Sequence, residues 1–116
     1  MVHLTPYNFE QEILESDVEC LVKFSSRGCH LCRGLNSVYE SLYGRYGSEI
    51  KFATVDLQVN PDLAKVFQID GVPTIYFFTG GDAEEVPYPE DPNIISGYGE
   101  DYLIKYLEDY LRRKKT

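Results

Sequence analysis

The sequence predicts an α/β fold, a central mixed β-sheet flanked by helices, on three observations. Residues 20–24 form a nearly continuous apolar run of strand length, as a strand covered on both faces requires. Residues 31–46 instead space their apolar side chains at helical intervals. Patterns of these two kinds alternate along the chain, which is how parallel strands are joined.

Val2-His3-Leu4 is an extended start, and Thr5-Pro6 a helix entry with proline in the first turn. Asn8 with Gln11 is a second candidate cap. Phe9, Ile13 and Leu14 give this helix an apolar face, and residues 17–19 break it. After the strand at 20–24, residues 25–28 form a loop. Leu35, Val38, Tyr39, Leu42, Tyr43 and Tyr46 then mark a long helix that Gly47 ends. Residues 50–55 form a second core strand. Asn60-Pro61 opens a short helix expected to bury Leu63, Val66 and Phe67. Thr74-Ile75-Tyr76-Phe77-Phe78 is a third core strand, turned by Gly80-Gly81. Residues 82–93 are acidic, contain three prolines and read as a long exposed loop. Ile94-Ile95-Ser96 is expected as a short last strand. Asp101 caps a final helix striped by Leu103, Ile104, Leu107 and Leu111, with Tyr102, Tyr106 and Tyr110 widening its packed face. The order is β-α-β-α-β-α-β-β-α, in a single domain over residues 1–116.

Composition narrows the function. At 43% hydrophobic, the chain has enough apolar surface to fold rather than stay disordered. A net charge of -8 argues against nucleic acid, whose phosphates would repel it. The basic run Arg112-Arg113-Lys114-Lys115 complements the dipole at a helix C-terminus. No segment approaches the ~18 apolar residues of a membrane span. The first 25 residues lack a basic, then apolar, then small-residue leader pattern, so a cytoplasmic protein is the expectation.

Cys29-His30-Leu31-Cys32 carries the chemistry. A cysteine at a helix N-terminus has its thiolate stabilised by unpaired N–H groups and the dipole. Cys29 holds that position, and Arg27, Arg33 and His30 add positive potential. Cys29 is therefore the exposed nucleophile, and Cys32, one turn in, the shielded partner that resolves a mixed disulfide. By itself the spacing leaves redox chemistry, metal binding or neither open. A zinc site needs four ligands, and only Cys20, His3 and His30 could join the pair. Cys20 belongs to a buried strand as a small hydrophobe, so no metal is expected, although a zinc or iron–sulfur site bridging two chains stays conceivable.

With Val2-His3-Leu4-Thr5, the strand running into Cys29 and Cys32, Val55-Asp56 with Asn60-Pro61, and Gly71-Val72-Pro73-Thr74, the chain resembles the thioredoxin family over nearly its whole length. Pro73 follows Cys32 by 41 positions, a spacing that family keeps. The resemblance implies a thioredoxin fold and a thiol–disulfide oxidoreductase that reduces protein disulfides. It implies a cis Pro73, with Val72 beside Cys29 for pairing to an extended substrate, and Gly97 or Gly99 completing the docking surface together with Gly28 and His30. No cofactor beyond the reversible Cys29–Cys32 disulfide is expected. The implied partners are protein disulfides and a disulfide reductase, for a monomer that binds neither nucleic acid nor membrane. An oxidant, an isomerase-like protein or a binding module with little turnover are the competing readings.

Three positions depart from the family pattern. Gly28 stands where tryptophan is usual, His-Leu separates the cysteines, and Lys23 occupies the place of a buried acid six residues before Cys29. His30 and Lys23 are thus candidates for tuning the redox pair. The plainer expectation for Lys23 is a stem along apolar surface with its amine in water. Asp56 is assigned no catalytic role. The acidic 82–93 loop is either a solvated insertion or a selector of basic substrates.

Overall fold

The computed structural model describes residues 1–89 and 98–114. Five strands form one mixed sheet in the order β1-β3-β2-β4-β5. They are β1 (Val2–His3), β2 (Cys20–Ser25), β3 (Lys51–Asp56), β4 (Thr74–Thr79) and β5 (Asp82–Glu85). Strands β1 and β2 flank β3 in parallel, whereas β4 runs antiparallel to β2 and β5 antiparallel to β4. The helices are α1 (His30–Tyr46), α2 (Pro61–Val66) and α3 (Glu100–Lys114), preceded by a π-helical turn at Glu10–Leu14.

The core lies in two layers because side chains alternate across a strand. Leu21 of β2, Phe52 of β3 and Ile75 and Phe77 of β4 face α1 and α3, where Leu35, Tyr39, Leu42, Leu103 and Leu107 cover them. Val22, Phe24, Val55 and Phe78 face the other way, onto Phe9, Ile13 and Leu63. Lys23 falls on the α1 side by the same alternation.

Several sequence expectations are corrected. The last strand of the described sheet is β5, inside the segment read as a loop. Residues 94–96 lie outside the described residues. Leu14 and Val66, expected in the core, are exposed. Both sit on short helical segments that can bury only one face. Asn8 does not start a helix. Its Oδ1 accepts the Thr5 N–H at 2.8 Å, while the Thr5 hydroxyl accepts the Tyr7 N–H at 3.2 Å, so Thr5 caps the turn and Asn8 answers it. Gly47 ends α1 at φ −63 rather than in the left-handed region. Its need for glycine is steric, since a Cβ there would sit 2.5 Å from the Tyr43 carbonyl oxygen. Gly80 does require positive φ, at +64, and opens the two-residue turn between β4 and β5.

Candidate active site

The sheet itself brings the two sequence signals together. Phe24 near the end of β2 pairs with Thr74 at the start of β4, so the loops leaving and entering these strands share one end of the sheet. The first of those loops leads to Cys29 and the second carries Gly71-Val72-Pro73.

Cys29 is the N-cap of α1, in extended conformation at φ −84 and ψ 117. Its Sγ accepts the Cys32 N–H at 3.1 Å, the role an oxygen usually plays at this position. The Cys29 N–H donates to the Ser26 carbonyl at 3.1 Å, which fixes the approach of the loop. Cys29 and Cys32 are joined as a disulfide with Cα atoms 5.2 Å apart. Cys32 is 2% exposed, whereas Cys29 is only half-buried. Cys29 is thus the more accessible of the two. No acidic residue lies in the first turn of α1, so nothing there opposes a thiolate.

The Val72 carbonyl oxygen lies 3.7 Å from the Cys29 Sγ. The Val72–Pro73 peptide bond is cis, and Pro73 is buried behind it. The Thr74 hydroxyl donates to the Gly71 carbonyl at 2.6 Å and closes the turn. Gly28 and His30 are exposed on either side of Cys29. Gly97 lies outside the described residues. At Gly99 a Cβ would meet nothing within 4 Å.

Lys23 corrects the expectation that its amine reaches water. The residue is 5% exposed. Its Nζ donates to the Asn36 Oδ1 at 2.7 Å and lies 4.9 Å from the centre of the Tyr39 ring. Among the described residues it makes no ion pair. Burial lowers its pKa, and the charge of Glu40 offsets part of that shift. Lys23, Asn36 and Cys32 line one cleft of about 280 Å³. Asn36, one turn beyond Cys32, is the site residue that sequence reasoning missed, although that one-turn spacing was its signal.

Of the remaining candidates, Arg27 is engaged structurally. Its Nε meets the Asp56 Oδ2 at 3.0 Å, and its N–H donates to the Gln58 Oε1 at 3.2 Å. Asp56 also accepts the Gln58 N–H at 3.0 Å, so it ties the end of β3 to the loop before Cys29. Cys20 is fully buried at the far end of β2, where burial raises its pKa. Among the described residues no three His, Cys, Asp or Glu side chains converge as a metal site. No helix among them is long and apolar enough to cross a membrane.

Comparison with known proteins adds an independent line. A sequence model of the thioredoxin family matches residues 1–96. Thioredoxin 1 of a Nostoc species is 36% identical over 67% of this chain and 73% of its own. A thioredoxin of Buchnera aphidicola is 32% identical over 69% of this chain and 74% of its own. A bifunctional thioredoxin reductase/thioredoxin of Mycobacterium leprae is 26% identical over 93% of this chain, which corresponds to 22% of that longer protein. A family match over most of the sequence, joined to two thioredoxins above 30% identity, makes this chain a member of the thioredoxin family and a thiol–disulfide oxidoreductase.

Proposed function

We propose that the protein works as a reductase of protein disulfides, with Cys29 as the attacking sulfur and Cys32 as the resolving one. The observation that carries this reading is the asymmetry of the pair. Cys29 is half-buried and its Sγ accepts the Cys32 N–H, while Cys32 is shut in. In the dithiol form, the Cys29 thiolate attacks one sulfur of a substrate disulfide. The substrate S–S bond breaks, a mixed disulfide forms, and the released substrate sulfur takes a proton. Cys32 then loses its proton and attacks the Cys29 sulfur. This closes the Cys29–Cys32 bond and frees the second substrate thiol. Two electrons and two protons pass to the substrate, and a disulfide reductase supplies two further electrons to restore the Cys29–Cys32 dithiol.

The backbone at Val72 supports substrate alignment, since its carbonyl faces the reacting sulfur and an extended chain can pair there. Pro73, Gly28 and His30 complete this surface. Lys23, in the cleft it shares with Cys32, favours the Cys32 thiolate whenever its amine is protonated. The exchange needs no cofactor, and the protein acts as a monomer. A reducing compartment such as the cytoplasm suits this direction of flow.

Equilibration with glutathione or dithiothreitol buffers tests the direction. A potential near about −270 mV supports the reductase, whereas one between about −180 and −120 mV replaces it with an oxidant or isomerase-like role. Cys32→Ser should accumulate a mixed disulfide through Cys29, and Cys29→Ser should abolish turnover. Undiminished turnover by Cys29→Ser would remove the assignment of the nucleophile.

A further inference from the structure

We infer that the cleft on the outer side of Val72 is a specificity subsite that receives a basic side chain of the substrate protein, close in sequence to its reacting cysteine. The inference rests on the reductase reading above and names the kind of substrate that this site prefers. The cleft has a volume of about 300 Å³ and is continuous with the substrate-facing backbone, because Val72 and Pro73 form part of its wall. A cleft of that size has room for one long side chain.

Its chemistry is one-sided. Asp70 and Glu85 line it, no lysine or arginine does, and among the described residues neither carboxylate has an ion-pair partner. Two aromatic rings complete the wall. Tyr76 pairs directly across the sheet with Glu85, which fixes ring and carboxylate on neighbouring strands. The Tyr76 hydroxyl is engaged with the Phe67 carbonyl at 3.3 Å, so its ring is held in place. Tyr88 is 47% exposed and stacks edge-on against buried Tyr98 at 5.1 Å between ring centres. Aromatic rings beside carboxylates are the surroundings that suit a lysine or arginine. Its methylene stem lies on the rings, and its charge meets both the ring faces and the carboxylates. An acidic or short polar residue finds repulsion or an empty cleft there. A peptide chain advances about 3.3 Å per residue when extended. Val72 walls the cleft and its carbonyl oxygen lies 3.7 Å from the Cys29 Sγ, so the basic residue is expected within about three positions of the cysteine that reacts with Cys29.

Cyclic disulfide peptides test this with the full chain. They carry Lys, Gln or Glu in turn at each of the three positions on either side of one cysteine. At one position, kcat/KM for Lys should exceed that for Gln by about fivefold at low salt, with Glu lowest, and the ratio should shrink at high salt. The double variant Asp70→Asn, Glu85→Gln should bring the Lys-to-Gln ratio close to one. The net charge of -8 attracts basic peptides to the whole surface, so a second double variant controls for it. Asp17 precedes β2, and Glu49 follows the far end of α1, a 17-residue helix about 25 Å long. Asp17→Asn, Glu49→Gln should keep the full ratio. An equal loss in both double variants, or no Lys preference at any position, overturns the subsite. If none of the peptides is turned over, the reductase reading itself fails. The subsite then stands or falls on whether the oxidised protein still binds the Lys peptide more tightly than the Gln peptide.

Discussion

At the residue scale, Lys23 is the least ordinary feature of the site. A lysine withdrawn from water without a carboxylate partner costs several kcal/mol if it stays charged, which is why burial lowers its pKa. The Asn36 oxygen and the Tyr39 ring offset part of that cost. Two results follow for Lys23→Met. The fold should gain stability, measured by urea unfolding. The lysine is penalised wherever the unfolded chain binds its proton more readily than the folded one. The gain is therefore fully present below the folded pKa and fades as pH rises towards 10.5, the ordinary lysine value. The Cys29–Cys32 potential should also fall by about 20 mV, equivalent to ~1 kcal/mol less support for the thiolate of the reduced pair. An unchanged potential would confine Lys23 to packing. The sequence showed that Lys23 was out of place but not where its amine goes. Lysines on strands usually reach water, and only the cover of α1 over that face of β2 prevents it here. Cys29 and Cys32 were legible from their spacing along the chain, and Val72 only through the family resemblance, because the pairing of β2 with β4 brings it to Cys29. Asn36 was harder to see, because its role depends on a lysine from another element.

At the element scale, two of the three glycines in α1 and its cap have opposite consequences. Gly44 lies inside the helix, and a Cβ there would meet nothing within 4 Å, whereas at Gly47 that atom would meet the Tyr43 carbonyl oxygen at 2.5 Å and its ring at 2.9 Å. Gly44→Ala should stabilise the protein by about 1 kcal/mol through helix propensity. Gly47→Ala, at an equally helical φ, should instead destabilise it by roughly 1–3 kcal/mol through the clash. Thermal unfolding of the two variants separates the effects, and a stabilised Gly47→Ala would contradict the close approach. Helix α1 and the core strands were readable from hydrophobic spacing because each buries a continuous face. Strand β5 was not, because Asp82, Ala83, Glu84 and Glu85 are all exposed and carry no apolar alternation. Backbone pairing to β4 alone makes it a strand, and the Gly80-Gly81 turn was the only local hint.

At the scale of the whole molecule, tyrosine hydroxyls fasten α3 to its surroundings. Tyr110 donates to Glu19 at 2.9 Å, Tyr106 to Glu84 and Tyr102 to the Pro87 carbonyl, while Tyr46 of α1 donates to Glu108 at 2.6 Å. Burial, and secondarily the Glu108 carboxylate, push the Tyr46 pKa up to about 12. Burial does the same for Tyr98, also to about 12. Groups whose pKa rises on folding contribute stability fully below their unfolded value of 10.0 and lose it as pH climbs through the folded value. The protein should therefore lose several kcal/mol between about pH 10 and pH 12. Tyrosinate absorbance should rise together with the loss of helical circular dichroism. Titration of all ten tyrosines ahead of unfolding would show that these tethers do not hold the fold. The cap of α1 links stability to electrons in a different way. It is made by a sulfur, and a thiolate accepts the Cys32 N–H more strongly than a disulfide sulfur does. Folding and reduction thus form a closed thermodynamic cycle. Whatever the folded state contributes to the thiolate reappears as an equal change in the relative unfolding free energies of the dithiol and disulfide forms. The melting curves of those two forms, set against each other, measure how far the start of one helix governs the readiness of the protein to accept electrons.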